Sequence, residues 1–402
     1  MRRGIVRGGV AAALAAIALS AASAGGSTDA SSFQPQSVTF VSTQRGWALG
    51  TVGCGAHRCL ALRETTDGGS RWAAAALPAA LVAAADRRYG GQPAQGGPQS
   101  LDIRFADAAD GWIYGGVPAL LRESGQTFHV LRPVLWSTHD GGAHWTQHRL
   151  AALGAQGSIY DLEAAAGSAY LLVADARGQA SLYRTAVADD DWTPAGAPAL
   201  PGPAGGTEPS GAVVLAEATG WVVEGNDRGT DGSARLAGGR WVAWTPPCAQ
   251  VGHSFAIPAA SSPTDLVALC VMGGFAYPLS PQAPPGAKLG SSWLYFSSDG
   301  GRSFHAGPQV PTADAGGAGY GGPIASPTPS TIVMGGRSAA GRGDLVASFD
   351  GGAHWAVESA DAPLYVGFTS PAQGVAIVQA PDGARSLLMS FDGGRSWRAI
   401  AF

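Results

Sequence analysis

The chain has few charged side chains and almost no lysine. Charged residues are 13% of the 402 residues, the formal net charge is −4, and Lys288 is the only lysine. This composition lacks the clustered positive charge that nucleic-acid binding requires, so we expect no nucleic-acid partner. The hydrophobic fraction of 46% is enough for a packed core and too high for a disordered chain.

Long apolar runs are missing after the first 24 residues, so we expect no membrane span in the mature chain. The start of the chain has the three parts of a signal peptide: the positive charges Arg2, Arg3 and Arg7, the apolar run 10–19, and the small residues Ala22-Ser23-Ala24. An uncleaved anchor is the alternative, but this run is shorter than the ~20 residues of a bilayer span. We therefore predict a cleaved signal peptide over 1–24, a flexible segment over 25–35, and a mature protein that is secreted or held in the cell envelope.

Cysteine is also scarce. The four cysteines, Cys54, Cys59, Cys248 and Cys270, allow three pairings. We expect disulfides 54–59 and 248–270, because each pair is local and an exported protein favours disulfides. A Cys/His metal site that includes His57 is the alternative, but the usual Cys-x-x-Cys spacing is absent. We predict neither a metal nor a cofactor.

What the sequence does contain is an internal repeat. Five segments share a hydroxyl or small polar start, Asp-Gly-Gly and an aromatic end: 65–72, 138–145, 297–304, 348–355 and 390–397. Two degenerate copies of this motif lie between the second and third segments and end at Trp192 and Trp241. From Trp72 to Trp397 the seven aromatic ends recur about every 54 residues, which is enough for a four-stranded blade with its loops.

A second motif runs in phase with the first. An alternating strand, a short turn and a Gly-Trp strand occur at 38–50, 103–115 and 213–223, with weaker versions at 169–172, 266–269, 331–334 and 374–377. Helical periodicity is absent apart from 73–85, which Pro78 interrupts. The sequence therefore predicts an all-β fold: a β-propeller of about seven four-stranded antiparallel blades over 36–402, with Gly/Pro/Ala-rich loop insertions.

The Asp-Gly-Gly turns have a structural explanation. Aspartate accepts hydrogen bonds from backbone N–H groups of its own turn, and glycine adopts positive φ without steric cost. Catalytic or calcium-binding aspartates are the alternative, but five equivalent active sites in one chain are implausible. We therefore predict that these residues stabilise the fold.

These turns resemble the Asp-box, or BNR, repeats of sialidase-like propellers, and their pairing with Gly-Trp strands resembles the exported photosystem II assembly-factor type. Similar repeats occur in xyloglucan-cleaving glycoside hydrolases and in the sortilin receptors. The resemblance implies these structural Asp-box residues: Asp67, Gly68, Gly69, Trp72, Asp140, Gly141, Gly142, Trp145, Asp299, Gly300, Gly301, Phe304, Asp350, Gly351, Gly352, Trp355, Asp392, Gly393, Gly394 and Trp397. The sequence matches neither the Arg-Ile-Pro segment nor the Tyr–Glu pair of sialidases. The nearest substitutes for the Arg-Ile-Pro segment are 33–35 and 102–104, which match it poorly, so we assign no catalytic residue.

Strand parity predicts which face binds a partner. The A–B and C–D turns of each blade lie on one face, and the longer B–C loops (50–61, 116–132, 273–292) and D–A loops (73–99, 193–211, 306–322) lie on the other. Binding usually resides in such loops, although they could be solvated spacers. The candidate contacts there are His57, Arg58, Arg87, Arg88, Tyr89, Glu123, His129, Tyr277, Lys288 and Tyr320.

Two further groups of side chains carry weaker predictions. A metal site of His139, His144 and His148 is the alternative to strand-surface histidines, and we favour the latter. Glu163, Glu217 and Glu224 could point into the central channel or cap solvent-facing edges.

These observations favour a monomeric, exported, non-enzymatic binding or assembly propeller, with a protein or glycan partner on the long-loop face. A glycoside hydrolase is the alternative. Two carboxylates, or an arginine cluster beside tyrosine and glutamate, would favour the hydrolase if they converged in the channel.

Overall fold

The computed structural model contains seven four-stranded antiparallel sheets, each formed by consecutive strands, which confirms the predicted all-β propeller. The structure describes residues 33–55, 57–86, 101–123, 126–149, 157–175, 177–200, 210–226, 229–250, 254–272, 292–310, 323–337 and 343–402. The predicted signal peptide lies outside these residues. The predicted flexible segment 25–35 overlaps the first strand, because Gln34 and Pro35 pair with Thr51 and Gly50.

The blades follow one another along the chain. Blade 1 contains β1 Gln34–Phe40, β2 Gly46–Gly53, β3 Arg58–Thr65 and β4 Ala73–Ala75, and blade 2 contains β5 Leu101–Phe105, β6 Gly111–Glu123, β7 Gln126–Thr138 and β8 Thr146–His148. Blade 3 contains β9 Ser158–Ala165, β10 Ser168–Ala174, β11 Ala180–Ala186 and β12 Thr193–Pro194, and blade 4 contains β13 Ser210–Ala216, β14 Thr219–Asn226, β15 Gly229–Ala237 and β16 Arg240–Ala243. Blade 5 contains β17 Ser254–Ala260, β18 Leu266–Met272, β19 Ser292–Ser297 and β20 His305–Gln309, and blade 6 contains β21 Ile324–Thr328, β22 Thr331–Arg337, β23 Gly343–Ser348 and β24 Ala356–Ser359. Blade 7 contains β25 Ala362–Phe368, β26 Gly374–Gln379, β27 Arg385–Ser390 and β28 Arg398–Ala399.

The hydrophobic core lies between blades. Among the described residues the buried apolar side chains form seven clusters, and each cluster joins two adjacent blades. The second strands are apolar over most of their length because both faces of each sheet are covered. Trp47, Trp112 and Trp221 of the Gly-Trp strands are fully buried in these interfaces.

Side-chain packing closes the ring between blades 7 and 1. Val38 and Ala48 share a cluster with Val375 and Ile377. The Gln373 amide donates to the Thr43 carbonyl at 3.0 Å, which also joins the two blades. Among the described strands, blades 1 and 7 are each made from one continuous segment, without a strand exchanged between them.

The five Asp-Gly-Gly turns share one hydrogen-bond pattern. In the first, the Thr65 hydroxyl accepts from the Gly69 N–H at 2.9 Å and donates to Asp67 at 3.0 Å. Asp67 also accepts from the Arg71 N–H at 2.9 Å. The first glycine of the turn, Gly68, has φ 72°, a conformation that favours glycine. The aspartates thus bind their own turns, and the identification of these turns as Asp-boxes remains a prediction from resemblance.

The aromatic residue of each turn directly precedes the fourth strand. In the turns that end in tryptophan the indole N–H donates to the second glycine carbonyl, as Trp397 does to Gly394 at 3.0 Å. Phe304 cannot donate, and here Trp244 of the preceding blade donates to Gly301 at 2.8 Å instead. The interface between blades 4 and 5 therefore replaces the lost bond.

A helix and two disulfides complete the fold. Helix α1, Ala79–Ala85, begins directly after Pro78, so Pro78 starts the helix that it was expected to interrupt. The disulfides Cys54–Cys59 and Cys248–Cys270 confirm the predicted pairing and are typical of an oxidising compartment. No helix within the described ranges has the length and apolar character needed to cross a bilayer.

Candidate functional site

The first strands of the blades line the axis of the ring, since from blade 1 through to blade 7 each contacts the first strand of the blade that follows. Their side chains bring charged and phenolic groups together from separate blades. Asp102 and Arg104 come from β5, Asp161 and Glu163 from β9, and Tyr365 from β25. We call these residues, together with Tyr114 of β6, the channel cluster.

An ion pair lies at the centre of the channel cluster. Arg104 Nη2 lies 2.6 Å from Glu163 Oε1, and both side chains are mostly buried, with exposed fractions of 19% and 24%. The Tyr365 phenol also hydrogen-bonds Arg104. One guanidinium therefore connects blades 2, 3 and 7 across the channel, and its charge is largely neutralised by Glu163.

Asp161 has a different role, because the backbone already occupies its oxygens. It accepts from the Leu162 N–H at 2.9 Å, from the Val213 N–H of blade 4 at 2.8 Å and from the Tyr114 hydroxyl at 3.3 Å. These bonds join three blades. Asp161 is thus a structural link at the edge of the channel cluster.

Burial sets the protonation of these acids. Desolvation raises the pKa of Asp102 to about 6, although the hydrogen bond from Ser37 acts to lower it. Desolvation likewise raises the pKa of Glu163 to about 7, although the charge of Arg104 acts to lower it. Burial also raises the pKa of Asp161 and of Tyr114. Although burial opposes the charge of Arg104, the carboxylate of Glu163 raises its pKa, so it stays protonated. The cluster can thus exchange protons near neutral pH.

A long hairpin projects from blade 2. Strands β6 and β7 have 13 residues each, and they stay paired over 116–123, beyond Gly115, where β5 ends its pairing with β6. The predicted B–C loop 116–132 is therefore wrong: it is mostly strand. The hairpin exposes Leu120, Phe128 and Leu131, which are 42%, 43% and 48% accessible.

Other predicted loops are shorter than expected. Most of the predicted loop 50–61 belongs to strands β2 and β3, so the loop itself is limited to the residues between Gly53 and Arg58. The loops 73–99, 193–211 and 306–322 contain β4, α1, β12 and part of β20, and most of 273–292 lies outside the described residues. The long-loop face is thus built partly from regular structure, with the hairpin as its largest described projection.

The predicted contact residues are only partly described. His57 is exposed, and Arg58 donates to Thr51 Oγ1 at 2.8 Å and to its carbonyl at 2.7 Å. The remainder lie outside the described residues, or have side chains that do: Arg87, Arg88, Tyr89, Glu123, His129, Tyr277, Lys288 and Tyr320.

The three histidines do not act as one group. His144 hydrogen-bonds Asp140 of its own turn, whereas His139 and His148 both approach Asp190, at 3.1 and 3.4 Å. Within the described part of the chain, one group of three potential metal ligands converges, Cys54, His57 and Cys59, and its two sulfurs are bonded to each other. That disulfide removes both thiolates from the alternative Cys/His site.

The three glutamates also separate. Glu163 lies in the channel, and Glu217 is exposed in the turn between β13 and β14 with φ 52°. Glu224 is fully buried between blades 3 and 4, its carboxyl has no hydrogen-bond partner, and burial raises its pKa to about 8. Only one of the three therefore reaches the channel. The sequence contains no signal that marks Tyr365 as a site residue. Asp102 and Arg104 lie in the segment 102–104, which matches the Arg-Ile-Pro segment of sialidases too poorly to be assigned a function.

The chain matches solved structures but no known sequence family. No family model matches it, and no curated protein sequence does either. YCF48 bound to a D1 peptide is 17% identical, with 90% of this chain and 92% of that chain covered and a TM-score of 0.50. YCF48 from Cyanidioschyzon merolae is 14% identical, covers 91% and 97%, and has a TM-score of 0.53. The propeller domain of the Trilobed protease from Pyrococcus furiosus is 7% identical, covers 92% and 98%, and has a TM-score of 0.52. At these identities the similarity establishes the β-propeller fold alone.

Proposed function

We propose that the chain is an exported, non-enzymatic binding propeller whose long-loop face holds an apolar segment of a partner protein. The observation that carries this proposal is the exposed apolar surface of the β6–β7 hairpin. Export rests on the predicted signal peptide and is consistent with the two disulfides.

The hairpin has the features of a docking element. Pro118 pairs with Leu131 and Leu120 with His129, so Leu120 and Leu131 are diagonal neighbours on one face of the ribbon. Phe128 pairs with Leu121 and lies on the opposite face. Exposed apolar side chains grouped on one projection commonly mark protein contacts. YCF48, which shares the fold, has been solved with a bound peptide, so a propeller of this kind accepts a protein segment.

The channel cluster supports binding more than hydrolysis. Arg104 is already neutralised by Glu163, so it is poorly placed to capture a substrate carboxylate. The oxygens of Asp161 are occupied by two backbone N–H groups and Tyr114. A pair of free, facing carboxylates, which most glycosidases use, is therefore not evident among the described residues.

A glycoside hydrolase remains the second candidate, because one specific observation favours it. Arginine, tyrosine and glutamate do converge in the channel, and burial raises the pKa of Asp102 to about 6 and of Glu163 to about 7. Acids with such values can donate a proton at neutral pH. Under this alternative Glu163 or Asp102 acts as general acid.

A photo-cross-linker at position 128 identifies the partner, and calorimetry with that purified partner measures the contribution of the hairpin. We expect the Leu120→Asp/Phe128→Asp variant to bind at least about thirtyfold more weakly, since each buried apolar side chain contributes ~1.5–3 kcal/mol. Val357→Asp is the matched control, because Val357 is 62% exposed on an outer strand of blade 6. Equal affinities for all three proteins would contradict the docking role.

The same preparations test hydrolysis. Fluorogenic sialosides and β-glucans are incubated with the wild-type protein, Asp102→Asn and Glu163→Gln. We expect no turnover by any of them. Turnover by the wild-type protein that disappears in a channel variant would replace the binding proposal with the hydrolase.

A further inference from the structure

A pocket of about 410 Å³ opens between blades 5 and 6, on the face that carries the Asp-Gly-Gly turns. Its floor is formed by Leu266 and Val267 at the start of β18. One wall is the turn between β17 and β18, and the opposite wall is the Asp-Gly-Gly turn of blade 6. The pocket is thus on the other face of the ring from the β6–β7 hairpin.

The repeat explains why the pocket exists. Val267 stands where blades 1, 2 and 4 carry the buried tryptophan of the Gly-Trp motif. In blade 4, Trp221 reaches the next blade and donates to the Gly300 carbonyl of its Asp-Gly-Gly turn at 3.3 Å. Valine is too short for that contact. Gly351 of blade 6 is the equivalent of Gly300. A Cβ atom added to Gly351 would have no other atom within 4 Å, whereas a Cβ atom added to Gly300 would lie 3.1 Å from a carbonyl oxygen.

Other interfaces that lack this tryptophan are filled differently. Between blades 6 and 7 the residue is Val333, and Arg395 lies over the Phe349 ring at 4.5 Å beside the turn. Between blades 7 and 1 the residue is Val375, and Met389 packs against the Gly69 turn. The interface between blades 5 and 6 has neither substitute in its lining.

The pocket combines free hydrogen-bonding atoms with an apolar wall. Ser261 Oγ is buried and has no hydrogen-bond partner. Asp265 Oδ2 accepts from the Ser262 and Thr264 hydroxyls, at 2.7 and 3.1 Å, and within the described part of the chain no group donates to Oδ1. Phe296, stacked on His305 with ring centroids 5.7 Å apart, supplies a flat apolar surface.

The charges in the lining narrow the class of ligand. Neither arginine nor lysine lines the pocket, so an anionic ligand would find no permanent cation. Both oxygens of the Asp350 carboxylate already have hydrogen-bond partners, Ser348 and His354, whereas Asp265 Oδ1 has none among the described residues. A neutral ligand with several hydroxyl groups and one apolar face satisfies these atoms, because a hydroxyl can donate to Asp265 and another can pair with Ser261.

We propose that this pocket binds one unit of a neutral sugar, a pyranose, with its hydroxyl edge towards Ser261 and Asp265 and its C–H face towards Phe296. The site is independent of the partner-binding hairpin. It gives the protein a second binding activity, on the opposite face of the ring.

Titration calorimetry of the full chain with the methyl pyranosides of glucose, mannose and galactose, up to about 20 mM, tests the proposal. We expect at least one of them to bind saturably with a Kd of about 0.1–10 mM, the range in which such small ligands bind. Val267→Trp restores the tryptophan of blades 1, 2 and 4 and is expected to weaken binding at least tenfold. Val357→Trp adds the same side chain on an exposed strand outside the pocket and is expected to change nothing.

Asp265→Asn keeps the shape of the pocket and removes the acceptor charge, so it tests the site even if Val267→Trp does not fold. We expect it to weaken sugar binding about tenfold, the effect of one charge-assisted hydrogen bond. No saturable binding by the wild-type protein would overturn the proposal, as would unchanged binding by Asp265→Asn. Binding of methylammonium in place of the sugars would show a cation site and would also overturn it. The Leu120→Asp/Phe128→Asp variant must bind sugar as the wild-type protein does.

Discussion

The turn carboxylates and the channel carboxylates are held in opposite ways. Each aspartate of the Asp-Gly-Gly turns is exposed or half-buried and accepts hydrogen bonds from its own turn, and these bonds lower the pKa of Asp140, Asp350 and Asp392 to about 2. Asp102 and Glu163 occur once and lie in the channel between several blades, where desolvation raises their pKa to about 6 and about 7, although the Asp102 side chain keeps part of its surface accessible. Repeated, self-satisfied acids stabilise the architecture, whereas the unique and desolvated ones are the candidates for function.

The largest effect is expected in the channel. Arg104→Met removes the cation that lowers the pKa of Glu163, so Glu163 becomes protonated at pH 7 and loses its ion pair, and we expect the free energy of unfolding to fall by about 2–3 kcal/mol, the contribution of a hydrogen bond between charged groups. Urea denaturation at pH 7 measures it. The double variant Arg104→Met/Glu163→Gln should be about as stable as Arg104→Met, because Glu163 is already neutral at pH 7 in the single variant. A single variant as stable as the wild-type protein would contradict the pairing.

A smaller effect is expected in the turns. Ser390→Ala removes the hydroxyl that accepts from the buried Gly394 N–H at 2.8 Å, and we expect a loss of about 1–2 kcal/mol. Ser386→Ala is the control, because Ser386 is exposed on the same strand and should change stability by less than about 0.5 kcal/mol. Equal melting temperatures for the two variants would remove the structural role of the turn.

The two sets of acids should also give pH dependences of opposite sign. The pKa of Asp392 is lowered in the folded state, so its contribution to stability is present above about pH 4 and is lost as the pH falls towards 2. The pKa of Asp102 is raised, so the folded protein loses stability relative to the unfolded chain as the pH rises from about 4 to 6. Unfolding curves of Asp392→Asn and Asp102→Asn against the wild-type protein should therefore diverge in opposite directions. Parallel curves would break the comparison.

The smallest effect is expected where a histidine joins two blades. Partial burial opposes the charge of His139, but hydrogen bonds to Asp110 and Asp190 raise its pKa. Its contribution is present below about pH 6.5 and is lost as the pH rises through the raised pKa. His139→Gln should cost less than about 1 kcal/mol at pH 6 and almost nothing at pH 8, by thermal unfolding at both values. An equal cost at both values would show that the charge plays no part.

The fold was predictable because its signals are local. The Asp-Gly-Gly turn needs only neighbouring residues, so each copy marks one hairpin whatever lies around it. The hairpin of blade 2 was missed because Gly116 and Pro118 are typical of loops. Their place in a strand depends on the register of β6 with β7, which is a property of the assembled sheet and not of the segment.

The channel cluster was predictable only in part. Glu163 was a candidate, but its partner Arg104 lies 59 residues earlier and Tyr365 comes from the last blade. Their meeting depends on how the ring closes and on which residues of the inner strands face the axis. No spacing in the sequence encodes either property.

The distinction between the two sets of acids is tested most directly by NMR titration of the carboxyl carbons in protein labelled at aspartate. We expect Asp140, Asp350 and Asp392 to titrate near pH 2 and Asp102 near pH 6, with the latter signal absent in Asp102→Asn. If Asp102 and the turn aspartates all titrated near the ordinary value of ~4, the separation between architectural and channel acids would be contradicted.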